Sequence, residues 1–243
     1  YYEPFLGSGA VLYAVKSINP NCKVFGSDIY EPLINIFKTI KKTPEKIKKN
    51  YKDNWVNLQK NFPKYYYYKR EKFNKKNNFH DLIFLSRTCV NGIIRFNKNG
   101  EFNNSLHLSR RGMSPELFNK IVDKWHYAMK NNSNFKCQDY IKILSKIKSS
   151  DFVYLDPPYF FSKNRYTENL NFKKFINFLR ELNKKKVLYA ISFDGSRGNI
   201  NYEKQLPKLL FKRKIKISKG ISTLDNVLNK KKLIFADSLY LNY

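Results

Sequence analysis

Phe152-Val153-Tyr154-Leu155-Asp156-Pro157-Pro158-Tyr159 decides the reading of this chain. Four apolar or aromatic residues in a row, closed by a turn, have the pattern of a buried strand. Asp156 stands at its carboxyl end, where open α/β sheets place ligands. Pro157 and Pro158 fix their own φ angles and remove two N–H donors, so the turn is stiff. A Pro-rich turn can be only a turn. Placed directly after Val153-Tyr154-Leu155, the rigid set of acid, carbonyl and ring reads as a site.

The start of the chain supplies a partner for it. Tyr1 to Phe5 reads as the end of a strand, Leu6-Gly7-Ser8-Gly9 as a glycine turn, and Ala10 to Ile18 as a helix with apolar residues at helical spacing. Asn19-Pro20-Asn21 stops that helix. Lys23 to Asp28 follows as a strand and Pro32 to Lys42 as a helix. This is the opening of a doubly wound sheet. Its glycine turn lets a ligand approach the backbone, and Asp28, 19 residues after Gly9, ends the second strand where an acid meets ribose hydroxyls. A GxG turn is weak by itself, and Asp28 could equally be a solvated turn acid.

From residue 44 to residue 133 the pattern changes. This stretch is rich in Lys, Asn and Tyr, helical in spacing and poor in strands, and it carries Tyr65-Tyr66-Tyr67-Tyr68. Within it, Arg95 to Asn103 sets an Asn-Gly turn between flanks bearing Phe96 and Phe102, a β-hairpin signal. The α/β pattern then resumes. Asn134 to Cys137 is expected as a strand, Asp139 to Ile147 as a helix, Asn171 to Lys184 as a helix and Val187 to Ser192 as a strand, with further helix and antiparallel edge strands beyond. The expected organisation is a catalytic domain of residues 1–43 and 134–243 around an inserted subdomain of residues 44–133.

The chemistry follows from residue types. An exocyclic amine on a flat base is a poor nucleophile, because its lone pair is delocalised into the ring. The Asp156 carboxylate and the Pro157 carbonyl can each accept one of its N–H bonds. That draws the nitrogen toward a tetrahedral state and aims the lone pair at an electrophile. Tyr159 can stack on the base. Asp139 could accept from an adenine amino group with Tyr140 against the ring, or it could cap a helix; the sequence leaves both open. In the hairpin region Asn91, Arg95, Asn97 and Asn103 suit base edges, and Arg110 and Arg111 suit phosphates. Each could equally be a solvated polar residue.

Composition bounds the classes. With 243 residues and 42% hydrophobic residues the chain can bury a core, and no run of 18 apolar residues marks a membrane span. The N-terminus lacks the pattern of a signal peptide, and the natural start is expected further upstream because the chain does not begin with Met. Three scattered cysteines and three dispersed histidines suggest neither a disulfide framework nor a metal site, so reducing cytoplasm and no metal are expected. Lys and Arg total 47 against 19 acids, a net charge of +28. An A+T-rich genome accounts for much of the Lys count but not for the scarcity of acids. The charge therefore supports a nucleic-acid partner.

Four motifs stand in one order: Glu3-Pro4-Phe5-Leu6-Gly7-Ser8-Gly9, the stretch Ser27 to Asn35, the stretch Asn91 to Asn103, and Leu155-Asp156-Pro157-Pro158-Tyr159. Together they resemble the Dam-type (D12 class) DNA adenine N6-methyltransferases, over nearly the whole chain. The resemblance implies an α/β fold, a Rossmann-like S-adenosylmethionine-dependent methyltransferase sheet with an inserted, mainly helical DNA-recognition subdomain carrying a β-hairpin. It implies that Phe5, Gly7, Ser8 and Gly9 line the S-adenosylmethionine pocket, that Asp28 holds the ribose, and that Asp139 and Tyr140 hold the cofactor adenine. Asp156, Pro157, Pro158 and Tyr159 would hold a flipped target adenine, with Asn91, Arg95 and Asn97 at the duplex. Members carry a Lys- and Gly-containing cofactor motif upstream of the first strand, and this chain begins after that point. Where readers of GATC have a Pro and a Phe-Gly pair, this chain has Ser105, Leu106 and His107, which implies another recognition sequence. Arg110-Arg111-Gly112 points to a restriction-modification enzyme with a paired endonuclease, acting on nucleoid DNA in a prokaryotic cytoplasm. Methylation of cytosine N4 or of RNA adenine, and a DNA-binding homologue without activity, remain as alternatives.

Overall fold

The computed structural model describes residues 1–158, 170–197, 200–201, 206–221 and 234–243. In chain order the elements are β1 (Tyr2–Glu3), α1 (Ala10–Ile18), β2 (Val24–Asp28), α2 (Glu31–Lys42), α3 (Pro44–Lys60), α4 (Lys64–Lys76), α5 (Phe79–Thr88), α6 (Pro115–Met129), β3 (Ser133–Cys137), β4 (Phe152–Leu155), α7 (Phe172–Lys184), β5 (Leu188–Arg197), β6 (Ile200–Asn201), β7 (Arg213–Ile221) and β8 (Ile234–Leu241). They fall into two compact units. One comprises Tyr1–Leu6 and the described residues from Asp139 onward, and the other comprises Gly7–Gln138. Among the described residues no helix is long and apolar enough to cross a membrane.

The first unit is built on a mixed sheet ordered β1-β4-β5-β8-β7. β1, β4 and β5 run parallel, with Tyr2 opposite Val153 and Leu155 opposite Ile191. β8 is antiparallel to β5, and β7 antiparallel to β8, as expected for the late edge strands. Val153 and Leu155 are fully buried, which is what a strand covered on its inner face requires. α7 covers it with Phe175, Ile176, Phe178, Leu179 and Leu182, a stripe at helical spacing, each worth about 2 kcal/mol on burial. Asn171 starts this helix by accepting from the Lys174 N–H at 3.0 Å.

The expected helix from Asp139 to Ile147 is instead a 3-10 turn over Tyr140–Ser145. Its two buried anchors, Tyr140 and Ile143, are three residues apart. A three-residue repeat lines such anchors up on one edge. Asp139 caps the turn, its side chain accepting from the Ile141 N–H at 2.9 Å.

The second unit pairs β2 and β3 in parallel, from Val24 opposite Ser133 to Asp28 opposite Cys137. Six helices, α1 to α6, belong to it. α3 to α6 share a core of Ile47, Tyr51, Leu58, Tyr66, Phe73, Phe84 and Phe118. Tyr51 stacks on Phe118 with ring centres 3.9 Å apart. Of the four consecutive tyrosines only Tyr66 is fully buried, because one helical face can carry one of four adjacent side chains inward. Lys69 of α4 and Asp81 of α5 form a buried ion pair in the same core. Between α5 and α6 the chain makes the expected hairpin, short and held by an antiparallel bridge from Phe96 to Phe102. Gly100 supplies the turn with a φ of 76°, and the Asn97 N–H donates to the Glu101 carbonyl at 2.8 Å.

Candidate functional site

In the first unit, parallel pairing fixes which residues emerge together. The chain leaves β1 through Phe5 and Leu6 and leaves β4 through Asp156, at the same end of the two strands. Asp156 is exposed while Pro157 is buried, so the carboxylate stands on a turn anchored by its neighbour. Tyr154, whose side chain alternates away from Val153 and Leu155, lies beside Ser192 of β5. Burial first, and then the Asp156 carboxylate, push its hydroxyl up to about 12. Tyr154 and Ser192 were not singled out from the sequence; the signal was a tyrosine facing out of an otherwise apolar strand. Tyr159 lies outside the described residues.

Phe5 is half-buried and rests on Tyr140, with ring centres 4.9 Å apart. Tyr140 is 6% exposed and enclosed by Phe175 and Phe178 as well. Its hydroxyl is buried with no hydrogen-bond partner among the described residues. Burial, then Asp139, push it up to about 12. An orphaned hydroxyl of this kind is costly unless something completes it. Asp139 uses one oxygen for the Ile141 cap and the other for Lys174, at 3.3 Å. Both readings left open for Asp139 are compatible with this, because a carboxylate accepts about four hydrogen bonds.

In the second unit the glycine turn and Asp28 come together. The Gly7 N–H donates to Asp28 Oδ2 at 3.1 Å, and the Tyr30 N–H to Oδ1 at 3.0 Å. Burial raises the pKa of Asp28, and the N–H groups of Tyr30, Gly7 and Ile29 pull it back. Three donors on about four acceptor sites leave the carboxylate room for a further one. The two glycines do different jobs. A Cβ on Gly7 would meet no atom within 4 Å, so its backbone is open to a ligand. A Cβ on Gly9 would lie 3.1 Å from the rings of Phe37 and Trp125, so that glycine admits packed aromatics. Ser8 between them is exposed.

This contrast yields a prediction. Gly7 has φ 47° and Gly9 φ 68°, so alanine at either costs about 1–2 kcal/mol of backbone strain. At Gly9 the ring contacts add about 1–3 kcal/mol of overpacking. Denaturant melts are therefore expected to rank Gly9→Ala well below Gly7→Ala in stability. Gly7→Ala should lose no more than that backbone strain, since nothing lies within 4 Å of the added Cβ.

In the hairpin region Asn91 and Arg95 are exposed, as are Arg110 and Arg111. Asn97 and Asn103 are occupied internally. Asn97 Oδ1 accepts from the N–H groups of Asn99 and Glu101, both at 2.9 Å, which pins the turn. Asn103 Oδ1 accepts from Arg95 Nε at 2.8 Å, which aims the guanidinium. Arg111 lies over the ring of Phe62 at 4.7 Å, and the Arg110 N–H donates to His107 Nδ1 at 3.1 Å. Asn74 and Asn104, both bonded to the hairpin, were missed because nothing local in the sequence marks them.

Residues 1–222 match the profile of the D12 class N6 adenine-specific DNA methyltransferases. The chain belongs to this family. Among curated relatives, it is 34% identical over 170 residues to the Type II methyltransferase M.MjaIII of Methanocaldococcus jannaschii, covering 65% of this chain and 58% of that one. It is 29% identical over 162 residues to the DNA adenine methylase of Escherichia coli K12, covering 65% and 55%. It is 29% identical over 191 residues to the Type II methyltransferase M.FokI of Planomicrobium okeanokoites, covering 72% and 29%. The D12 chain thus spans a little over half the length of the first two relatives.

Proposed function

We propose that the protein transfers a methyl group from S-adenosylmethionine to N6 of an adenine turned out of double-stranded DNA, releasing S-adenosylhomocysteine and a proton from N6. The observation that carries this reading is the exposed Asp156 on its buried proline turn, emerging beside the end of β1 that leads into the glycine turn. The residues present fit the donor: an open backbone at Gly7, spare acceptor capacity on Asp28, and the orphaned Tyr140 hydroxyl. Phe5, Gly7, Ser8, Gly9, Asp28, Asp139 and Tyr140 would hold it. When bound, the donor supplies an electrophilic methyl group on a sulfonium.

The chain's own residues do the rest. The Asp156 carboxylate and the Pro157 carbonyl accept the two N–H bonds of the amine and orient its lone pair. Pro158 stiffens the turn and Tyr159 stacks on the base. Flipping costs a few kcal/mol of lost stacking and pairing, met by contacts to the extruded base. Residues 44–133 form the inserted DNA-recognition part. There Asn91 and Arg95 face the bases, Asn97 and Asn103 shape the hairpin, and Arg110 and Arg111 take phosphates.

A restriction-modification setting, with a paired endonuclease in a prokaryotic cytoplasm, is part of the proposal. The relatives named Type II methyltransferases support it. The test is to expose unmodified genomic DNA to the full-length protein and map methylated positions by sequencing. One recurring motif with its adenine modified supports the reading. Modification of cytosines, or no modification, contradicts it.

A further inference from the structure

The hairpin is too short to hold itself. Its strands meet at single bridges, Cys89 to Leu106 and Phe96 to Phe102, and an isolated two-stranded hairpin is marginal in water. What replaces the missing ladder is one face of α4. Tyr66, Arg70 and Asn74 are spaced four residues apart, so they lie in a row along the helix. All three bond to the backbone of the hairpin's second strand. Asn74 acts as a substitute strand: its Oδ1 accepts from the Phe102 N–H at 2.8 Å, and its Nδ2 donates to the Phe102 carbonyl at 3.2 Å. Tyr66 OH donates to the Asn104 carbonyl at 2.9 Å, and Arg70 Nη1 to the same oxygen at 3.3 Å.

Asn104 passes this anchoring on. Its side chain is buried, and its Nδ2 donates to the carbonyls of Val90 at 2.9 Å and Ile93 at 2.8 Å. Those two residues flank Asn91, whose backbone sits in the left-handed region with φ 57°. The loop bearing Asn91 and the strand bearing Arg95 are therefore both positioned from α4.

We propose that Tyr66, Arg70 and Asn74 form a clasp that sets sequence discrimination, acting through Asn104 on Asn91 and Arg95 without touching DNA. This rests on the hairpin reading bases, as proposed above. Tyr66, buried among apolar neighbours, spends its hydroxyl on this one bond. A tyrosine kept there for packing alone would serve as well as phenylalanine.

The test compares wild type, Tyr66→Phe, Asn74→Ala and the double variant, using the full-length protein. Methyl transfer is measured on the mapped recognition duplex and on duplexes with one base pair changed. Each lost bond is expected to raise KM for the recognition duplex and to erode discrimination roughly three- to tenfold. The kcat and the S-adenosylmethionine affinity are expected to stay near wild type, while the melting temperature falls by a few degrees in each single variant. Amide exchange at Phe102 should accelerate in Asn74→Ala. If the double variant melts too low to assay, Asn74→Ala decides, because that side chain is half-buried and outside the apolar core. Discrimination unchanged in the single variants overturns the clasp while leaving the function intact. A wild type that methylates no duplex overturns the function, and the specificity role with it.

Discussion

Asp156→Ala is expected to lower methyl transfer about 10³-fold while leaving S-adenosylmethionine affinity within about twofold. The carboxylate is proposed to accept from the amine, and that interaction strengthens as the nitrogen becomes tetrahedral. Its removal therefore lowers kcat and kcat/KM together, with little change in donor binding. Asp156 is exposed, so the variant is expected to remain folded. Single-turnover transfer of labelled methyl groups, with calorimetric titration of the donor alongside, checks both halves. A variant that turns over normally refutes the role of Asp156. A variant that has lost donor binding assigns the carboxylate to the wrong partner.

The second large effect falls on Asp28. Its carboxylate ties the glycine turn to the end of β2 through the Gly7 and Tyr30 N–H groups, and is proposed to hold the ribose as well. Hydrogen bonds to a charged group are worth about 1.5–3 kcal/mol each, so Asp28→Ala should weaken donor binding about 100-fold or more. DNA binding should survive, because the hairpin and the basic residues near it are untouched.

Acidity gives the same residue a separate signature. Burial raises the folded-state pKa of Asp28. Its contribution to stability is therefore full below the unfolded value of about 3.9, and is lost as pH rises through the folded value. Donor affinity runs the other way: it needs the ionised acceptor and falls as pH drops through the raised value. Titrating donor affinity against pH should show an acid limb above the range of an ordinary aspartate, and Asp28→Asn should remove that limb. An acid limb unchanged in Asp28→Asn would assign it to another group.

What could be read from the sequence was local in origin. Phe152 to Asp156 is a strand and its exit, Leu6 to Gly9 is a turn between strand and helix, and Asn171 to Leu182 is a cap followed by an apolar stripe. Each is set by neighbours within a few residues, so spacing reveals it. The D12 likeness then joined these pieces into one family reading, and the family profile bears it out. The Asn-Gly turn likewise disclosed the hairpin, although not that Asn97 and Asn103 would be consumed in shaping it.

What stayed hidden depends on partners far along the chain. Asn74 meets Phe102 across 28 residues and Tyr66 meets Asn104 across 38. A polar side chain on a basic helix looks solvated until its partner strand is known. The division of labour between Gly7 and Gly9 was hidden in the same way, since it turns on where Phe37 and Trp125 pack. The 3-10 turn after Asp139 was missed for a different reason: over six residues, periods of 3.0 and 3.6 are hard to tell apart.

Central to the proposed function is an acid–carbonyl pair at the end of β4 that activates a planar amine toward a methyl donor. Its most direct measurement is to incubate the full-length protein with labelled S-adenosylmethionine and duplex DNA, digest the DNA to nucleosides, and identify the labelled one. N6-methyldeoxyadenosine alone is expected to carry the label. Label in N4-methyldeoxycytidine, label appearing only when RNA replaces DNA, or no labelled nucleoside would contradict it.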